Sequence, residues 1–339
     1  MQIVLKHSFM FVSLLIFLLG KPASGQVNPA VSQSDELQRR QQLEKTLKRA
    51  SSRFDNLGEI APELFEGELE DVGQQNILKV KRRKRRFDVQ IDSQFLYTSN
   101  TALEENGNDS TLFVNTIYLA YAPDATPLWG GQLSPSIGYR HQFFNYGLMG
   151  SAPSAAAADF DSQAIVGQLQ LRTTNNWTFS TGLEYARLLD HDPSFSSYKE
   201  FYREWVPRYS ATKFYYLSET RFFGMSYQGA YHITDSPRNT ANTSAQDRLD
   251  QGLLAAYTHA FGPTWTVQPF TRAVYTHYTD QQGRDDFLVT VGGTVFYTIN
   301  EWLTARAFVS YDVRETDIPT VPDYQKLDMG IALGVNKRF

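Results

Sequence analysis

The chain has 339 residues, of which 42% are hydrophobic, 14% aromatic and 20% charged, and it contains no cysteine. The lack of cysteine excludes a disulfide scaffold, a thiolate metal site and a cysteine nucleophile. A mean hydropathy of −0.39 excludes a bundle of membrane helices, because each such helix needs about 20 consecutive apolar residues.

Residues 1–25 have the pattern of a secretory signal peptide. Lys6 precedes an apolar run over 9–19, and small residues follow at 23–25. A positive start, a short apolar run and a small-residue exit are typical of such signals, so we expect cleavage before Gln26. The alternative is a membrane anchor, which the shortness of the run disfavours.

Residues 26–86 are predicted to form a separate N-terminal element. They carry 13 Lys/Arg and 10 Asp/Glu, whereas residues 87–339 carry 17 and 26. Good helix formers from Ser34 to about Arg53 predict a helix with Ser34 as its N-cap. The apolar residues are too few for a core of their own. Two interpretations remain open, a partly ordered periplasmic arm and a plug or docking segment.

This element ends in a run of basic residues. Clustered cations attract phosphates, but an exported acidic protein is an improbable partner for nucleic acid. We expect contact with anionic lipid head groups at a membrane surface. The alternative is a solvated charge run that keeps the segment out of the bilayer. The residues assigned to this membrane-surface run are Lys79, Lys81, Arg82, Arg83, Lys84, Arg85 and Arg86.

The rest of the chain alternates with a period of two. In its last segment Met329, Ile331 and Leu333 share one face, whereas Asp328 and Gly330 share the other. Side chains of a strand point alternately to opposite faces, so this strand has an apolar outside and a polar or small inside. The segments with this character are 87–99, 111–122, 131–144, 162–173, 176–189, 206–218, 221–234, 249–261, 264–279, 286–299, 301–314 and 326–339.

The connections between these segments alternate between mostly short turns and longer polar loops, which is the pattern of a transmembrane β-barrel. In hydrocarbon only helices or a closed sheet can pair every backbone group. The predicted fold class is therefore all-β, a closed antiparallel transmembrane barrel of about 12 strands with a short, partly helical N-terminal arm. A soluble sandwich or lipocalin-like barrel is the alternative, and it would have an apolar interior.

The tryptophans support the barrel independently. Trp129, Trp177, Trp265 and Trp302 each stand where a strand leaves a short turn. Equivalent positions in successive hairpins lie on one rim, and amphipathic rings favour the membrane interface. We therefore predict that these four residues form the periplasmic aromatic girdle.

The signal segment, the hairpin pattern over 87–339 and the terminal strand ending in Phe339 resemble bacterial outer-membrane β-barrel proteins, porin-like but without an identifiable subfamily. The resemblance implies location in the outer membrane of a Gram-negative-type bacterium, in contact with lipid and lipopolysaccharide. It also implies that Phe339 is a signal to the barrel-assembly machinery. A periplasmic partner could bind 26–86, and no nucleic acid is expected.

The inward face carries charges that must meet water or each other, because an unpaired buried charge is costly. One predicted function is an outer-membrane channel for passive or gated passage of small polar solutes or an exported polymer. The other is a non-conducting scaffold of an envelope assembly that docks through 26–86. The residues assigned to the lumen are Asp88, Asp92, Arg140, Arg172, Glu184, Arg272, Arg306, Asp312, Asp328 and Arg338.

Catalytic chemistry is not predicted. A hydrolase needs a base within hydrogen-bond reach of its nucleophile, and no histidine shows a trustworthy spacing to one. The triplet 190–192 (Asp-His-Asp) could chelate a metal, but adjacent side chains of an extended loop diverge. We therefore expect no catalytic residue, metal or cofactor, and a hydrolase at the loop rim is the alternative.

Overall fold

The computed structural model describes residues 30–38, 86–101, 103–105, 107–147, 159–190, 199–236, 242–281 and 283–339. The predicted signal peptide, the basic residues 79–85 and His191 lie outside this part of the chain.

The described ranges contain one helix and thirteen strands. The helix, α1, spans residues 30–38. The strands are β1 (Phe87–Thr98), β2 (Ser110–Tyr121), β3 (Thr126–Leu128), β4 (Gly131–Tyr146), β5 (Phe160–Thr173), β6 (Trp177–Asp190), β7 (Lys199–Ser218), β8 (Arg221–Asp235), β9 (Arg248–Phe261), β10 (Trp265–Tyr278), β11 (Asp285–Thr298), β12 (Leu303–Thr316) and β13 (Tyr324–Arg338).

Twelve of these strands close into a ring. Each strand from β4 to β13 pairs antiparallel with the next, β13 pairs with β1, β1 with β2, and β2 with β4. The first and last strands meet from Asp88↔Arg338 to Thr98↔Asp328. Strand β3 is a short addition that pairs with the start of β4. The predicted closed antiparallel barrel of 12 strands is confirmed.

The two faces of the barrel differ as the alternation predicted. Large apolar side chains such as Ile165, Leu253 and Ile331 are exposed on the outside, whereas Gln94 and Asp328 are buried inside. A polar interior under an apolar exterior is the reverse of a soluble lipocalin-like barrel, so that alternative is wrong.

All four tryptophans assigned to the girdle lie at the short-turn end. Trp129 occupies the turn between β3 and β4, where it and Gly130 have φ of 49° and 71°. Positive φ at both central residues is typical of the tight hairpin turn that matches strand twist. Trp265 packs on Tyr297 with ring centroids 4.7 Å apart. At the same end, the Phe339 carbonyl accepts a hydrogen bond from the Arg86 backbone N–H.

The predicted strand 206–218, the sixth segment in the sequence, corresponds to β7, and its predicted start is wrong. Strand β7 begins at Lys199. Pro207 made this segment look unlike a strand, because proline cannot donate a hydrogen bond to a sheet ladder and so argues against strand structure. Pairing of β7 with β8 skips from Trp205 to Arg208, so this proline lies in a gap of that ladder. The connection 122–130 was also predicted without the short strand β3 that it contains.

The start of the helix was predicted incorrectly as well. Helix α1 already includes Ala30, so Ser34 lies within the helix and is not its N-cap. In the sequence Asn28 and Pro29 precede Ala30, a pair typical of a helix start that the prediction overlooked. The predicted continuation to about Arg53 lies beyond the described residues. Within the described ranges, no helix has the length and apolarity to cross a bilayer.

The lipid-facing surface makes the first testable prediction. Leu183, near the middle of β6, is 47% exposed on the outside. Leu183→Lys should lower the free energy of unfolding by about 2–4 kcal/mol, because a cation at mid-membrane is poorly solvated. The matched control is Gln90→Lys, on the inward face, which should change stability little. Urea titration of the protein refolded into vesicles measures both, and equal effects would contradict the assigned faces.

Candidate functional site

Helix α1 lies inside the barrel, in the half nearer the long loops. Its apolar side chains, Ala30, Val31 and Leu37, are 3–5% exposed. They belong to one buried cluster with residues from six neighbouring strands. Those wall residues are Leu96, Leu112, Val114, Phe144, Tyr146, Phe160, Leu188, Phe201 and Tyr202.

Consecutive residues of α1 reach polar groups on different walls. Ser34 Oγ lies 3.4 Å from Ser162 Oγ on β5. The next residue, Asp35, accepts a hydrogen bond from Arg248 at the start of β9.

The third consecutive residue completes the set of anchors. Glu36 accepts a hydrogen bond from Lys326 on β13. Strands β5, β9 and β13 are each four strands apart in the closed order of the barrel. Consecutive helix residues are about 100° apart around the axis, so three in a row can point to three such walls. The helix is therefore held from three sides at one level of the lumen.

The β9 anchor belongs to a larger polar cluster. Tyr202 donates to Glu204 (2.8 Å), and Glu204 lies 2.7 Å from His232 Nδ1. The other ring nitrogen of His232 lies 3.4 Å from Asp250, whose carboxylate is 3.6 Å from Arg248 Nε. This arrangement gives Arg248 a wall carboxylate in addition to the one from α1.

Lys326, the anchor on β13, is likewise surrounded by carboxylates from both the wall and α1. Lys326 is 1% exposed and lies 3.1 Å from Asp328 and 3.5 Å from Asp312. Glu36 of α1 adds a third carboxylate around the same ammonium group. Because a buried lysine is costly unless it is paired, the wall carboxylates account for its presence in the lumen.

The end of α1 reaches the middle of the barrel. There Glu184, with no exposed surface, accepts from Arg140 at 2.5 Å and lies 3.2 Å from Arg208. With its amide turned so that both ends are satisfied, Gln38 accepts from Arg140 (2.8 Å) and donates to Glu184 (3.3 Å).

Below α1 the lumen opens into a cavity of about 920 Å³, which we call the vestibule. It occupies the half of the barrel nearer the short turns, and Asp35 and Gln38 form part of its inner end. Its walls are rich in amide and hydroxyl groups. These are Gln90, Gln132, Ser134, Ser136, Gln168, Gln170, Thr178, Ser180, Ser210, Thr212, Ser226 and Gln228.

The structure places the residues assigned to the lumen in three groups. Six of them take part in buried ion pairs, namely Arg140, Glu184, Asp312, Asp328 and the Asp92–Arg306 pair (2.7 and 2.9 Å). Arg272 donates to Thr290. Those that line the vestibule are Asp88, Arg140, Arg172, Glu184, Arg272 and Arg338.

Several functional residues were missed by the sequence analysis. Lys326 shares the inward parity of Asp328 and could have been found from it. Arg208 was missed because Pro207 disturbed the pattern of its strand. Asp35 and Glu36 gave no signal, because nothing in a local sequence says that a helix is enclosed by a barrel.

The histidines give no sign of hydrolytic chemistry within the described chain. His141 hydrogen-bonds to Asp161 at 3.2 Å, and His277 to Asp285 at 2.7 Å. His232 has carboxylates on both nitrogens. Two groups of side chains could in principle hold a metal, but the cation of Arg248 or Lys326 already lies among them. These groups are Asp35, Glu204 and His232, and Glu36, Asp312 and Asp328.

Comparison with known proteins gives likeness in shape only. No protein-family model matches the chain, and no curated protein matches it. An outer-membrane channel from Pseudomonas putida F1 is similar at 10% identity and a TM-score of 0.49, covering 78% of this chain and 100% of that one. The beta domain of the Bordetella autotransporter BrkA has 13% identity and a TM-score of 0.43, covering 74% and 99%. A bacterial polysaccharide outer membrane secretin has 9% identity and a TM-score of 0.43, covering 75% and 99%.

The architecture itself defines the class of protein. A closed antiparallel ring, an apolar outer surface and a polar interior together form an outer-membrane β-barrel. This chain is an outer-membrane protein of that class, with a helix from its own N-terminal region in the lumen.

The position of α1 can be tested by a disulfide, and the cysteine-free chain makes this clean. Ser34→Cys combined with Ser162→Cys should crosslink on mild oxidation, because the two hydroxyl oxygens lie 3.4 Å apart. The product is detected as a shift in electrophoretic mobility. The control pairs Ser34→Cys with Ser180→Cys in the vestibule, and this pair should not crosslink. Equal crosslinking of both pairs would contradict the seat assigned to α1.

Proposed function

We propose that the protein is a gated outer-membrane channel for small polar solutes or an exported polymer, and that α1 is its gate. One observation carries the proposal: α1 is anchored to three walls across the lumen, above an open polar vestibule. A structural barrel has no need of a water-accessible chamber behind a separately anchored helix.

The anchors suit a helix that can leave its seat. Arg248 keeps Asp250 when Asp35 departs, and Lys326 keeps Asp312 and Asp328 when Glu36 departs. Breaking a buried pair is very costly when it leaves a charge uncompensated, by about 3–5 kcal/mol. The wall carboxylates reduce that cost on the barrel side, which supports two accessible states, seated and released.

The length of the connecting segment also supports a gate. The sequence places residues 39–85 between α1 and the start of the barrel. At a maximum of about 3.3–3.6 Å per residue, such a segment can reach well beyond the height of a strand of some 14 residues. A connection of this length is long enough for α1 to leave the lumen.

A non-conducting scaffold is the second candidate, and one observation favours it. Ion pairs join strands at several levels of the lumen: Glu184–Arg208 links the neighbouring strands β6 and β7, and Asp92–Arg306 links β1 to β12 across β13. Charges that pair in this way fill space and stiffen a barrel. In this candidate α1 would remain seated permanently, and the region 26–86 would bind a periplasmic partner.

Conductance in planar bilayers separates the two candidates. The variant Asp35→Asn with Glu36→Gln removes both charged anchors from α1 but leaves every wall residue in place. We expect its open probability to exceed that of the unchanged protein by about tenfold or more, because each charge-assisted hydrogen bond contributes about 1.5–3 kcal/mol. Glu219→Gln, a matched charge loss in a short turn away from the vestibule, should leave conductance unchanged.

The disulfide between Ser34→Cys and Ser162→Cys allows α1 to be fixed and released reversibly while conductance is measured. The oxidised Ser34→Cys/Ser162→Cys protein should stay closed, and reduction should restore its openings. Silence of the unchanged protein, of the anchor variant and of a version lacking 30–38, with each barrel shown to be folded, would overturn the channel and favour the scaffold.

A further inference from the structure

We propose that the vestibule binds an acidic oligosaccharide along the wall formed by β4–β8. This inference deepens the proposed channel function by naming its solute class. It rests on charge, hydrogen-bonding groups and spacing on that wall, which meets α1 where Gln38 contacts Arg140 and Glu184.

The wall from β4 to β8 has an excess of positive charge. Arg140, Arg172 and Arg208 face the vestibule from β4, β5 and β7, and Glu184 is the one carboxylate among the residues of these strands that line it. Three arginines against one glutamate leave two positive charges on this wall. The rest of the vestibule lining holds four cations and five carboxylates, so the positive surplus is confined to this wall. These residues are Arg86, Arg272, Lys337 and Arg338, and Asp35, Asp88, Asp124, Asp250 and Glu301.

Two of these arginines have donor capacity to spare. Arg140 is 6% exposed, and the Nε groups of Arg140 and Arg208 are buried without a hydrogen-bond partner among the described residues. Arg172 is exposed to the vestibule. A guanidinium presents several N–H donors in one plane, an arrangement that fits the two oxygens of a carboxylate.

The remaining groups on the wall suit a solute with many hydroxyls. Gln, Ser and Thr side chains from all five strands lie between the arginines. Amide groups and hydroxyls both donate and accept, so they can bind sugar hydroxyls in several orientations. A wall of this composition matches a sugar acid better than a simple inorganic anion, which would use the arginines alone.

The spacing of the arginines favours an oligomer over a single sugar. Arg172 pairs in register with Thr178 of β6, and Arg208 pairs with Gly182 of the same strand. Four residues along a strand correspond to about 13 Å. The vestibule volume, about 920 Å³, lies at the upper end of the range for small-molecule sites. The site therefore accommodates several linked units that contact both arginines.

Isothermal titration calorimetry tests this inference on the full chain folded in detergent micelles, with an alginate tetrasaccharide as the acidic probe. We expect saturable binding of this probe and no measurable binding of maltotetraose, which is neutral and of the same length. Arg172→Gln and Arg208→Gln should each weaken binding about tenfold, because each removes charge-assisted hydrogen bonds. Arg208→Lys should recover part of the affinity.

The control is Arg221→Gln, the same change on the outer surface at the short-turn end, which should leave binding unchanged. Arg172 is exposed, so its substitution tests the site even if Arg208→Gln fails to fold. No binding of the acidic probe, equal binding of maltotetraose, or equal loss in all three glutamine variants would overturn the proposal. Binding without conductance would overturn the channel and leave this site standing.

Discussion

Every backbone N–H and C=O that crosses the hydrocarbon layer must be bonded within the protein, since lipid offers no partner. This chain meets that requirement by pairing its last strand with its first over eleven residue pairs, so the sheet has no free edge. Closure has a second consequence. It gathers the inward side chains of all twelve strands around one lumen, where charges must pair or contact water.

The width of that lumen decides what else it can contain. An α-helix with its side chains is about 10–12 Å across, and the ring of twelve strands encloses α1 together with the wall residues that it contacts. One side of the helix packs on aromatic and aliphatic wall residues, while Asp35 and Glu36 meet cations on two other walls. Among the described residues, α1 occupies only the half of the barrel nearer the long loops, and the vestibule lies in the other half. The binding position of α1 and the β4–β8 wall of the vestibule thus lie at different levels of one lumen, and they meet where Gln38 contacts Arg140 and Glu184.

The sequence analysis was correct where a periodic rule applied and wrong where a single residue disturbed the rule. Alternation located most strands to within a few residues, because lipid on one face and water on the other constrain every second side chain. Pro207 made the first part of β7 hard to recognise. The proline is tolerated because the pairing of β7 with β8 has a gap at this position, and the sequence of β7 alone does not show that gap. Ser34 resembled a helix cap, but its hydroxyl faces Ser162 on the barrel wall. In both cases a distant partner decided the outcome.

Local sequence was sufficient for the class of protein, the strands, the inward and outward faces and the rim of tryptophans, because each depends on the solvent around a residue. It could not assign partners to the lumen charges or a place to the helix. Asp35 and Arg248 are 213 residues apart, and Glu36 and Lys326 are 290 apart. Such pairs come together only when the ring closes, since closure sets which strands face each other across the lumen. The position of α1 in the lumen and the arginine-bearing wall of β4–β8 therefore follow from the tertiary structure.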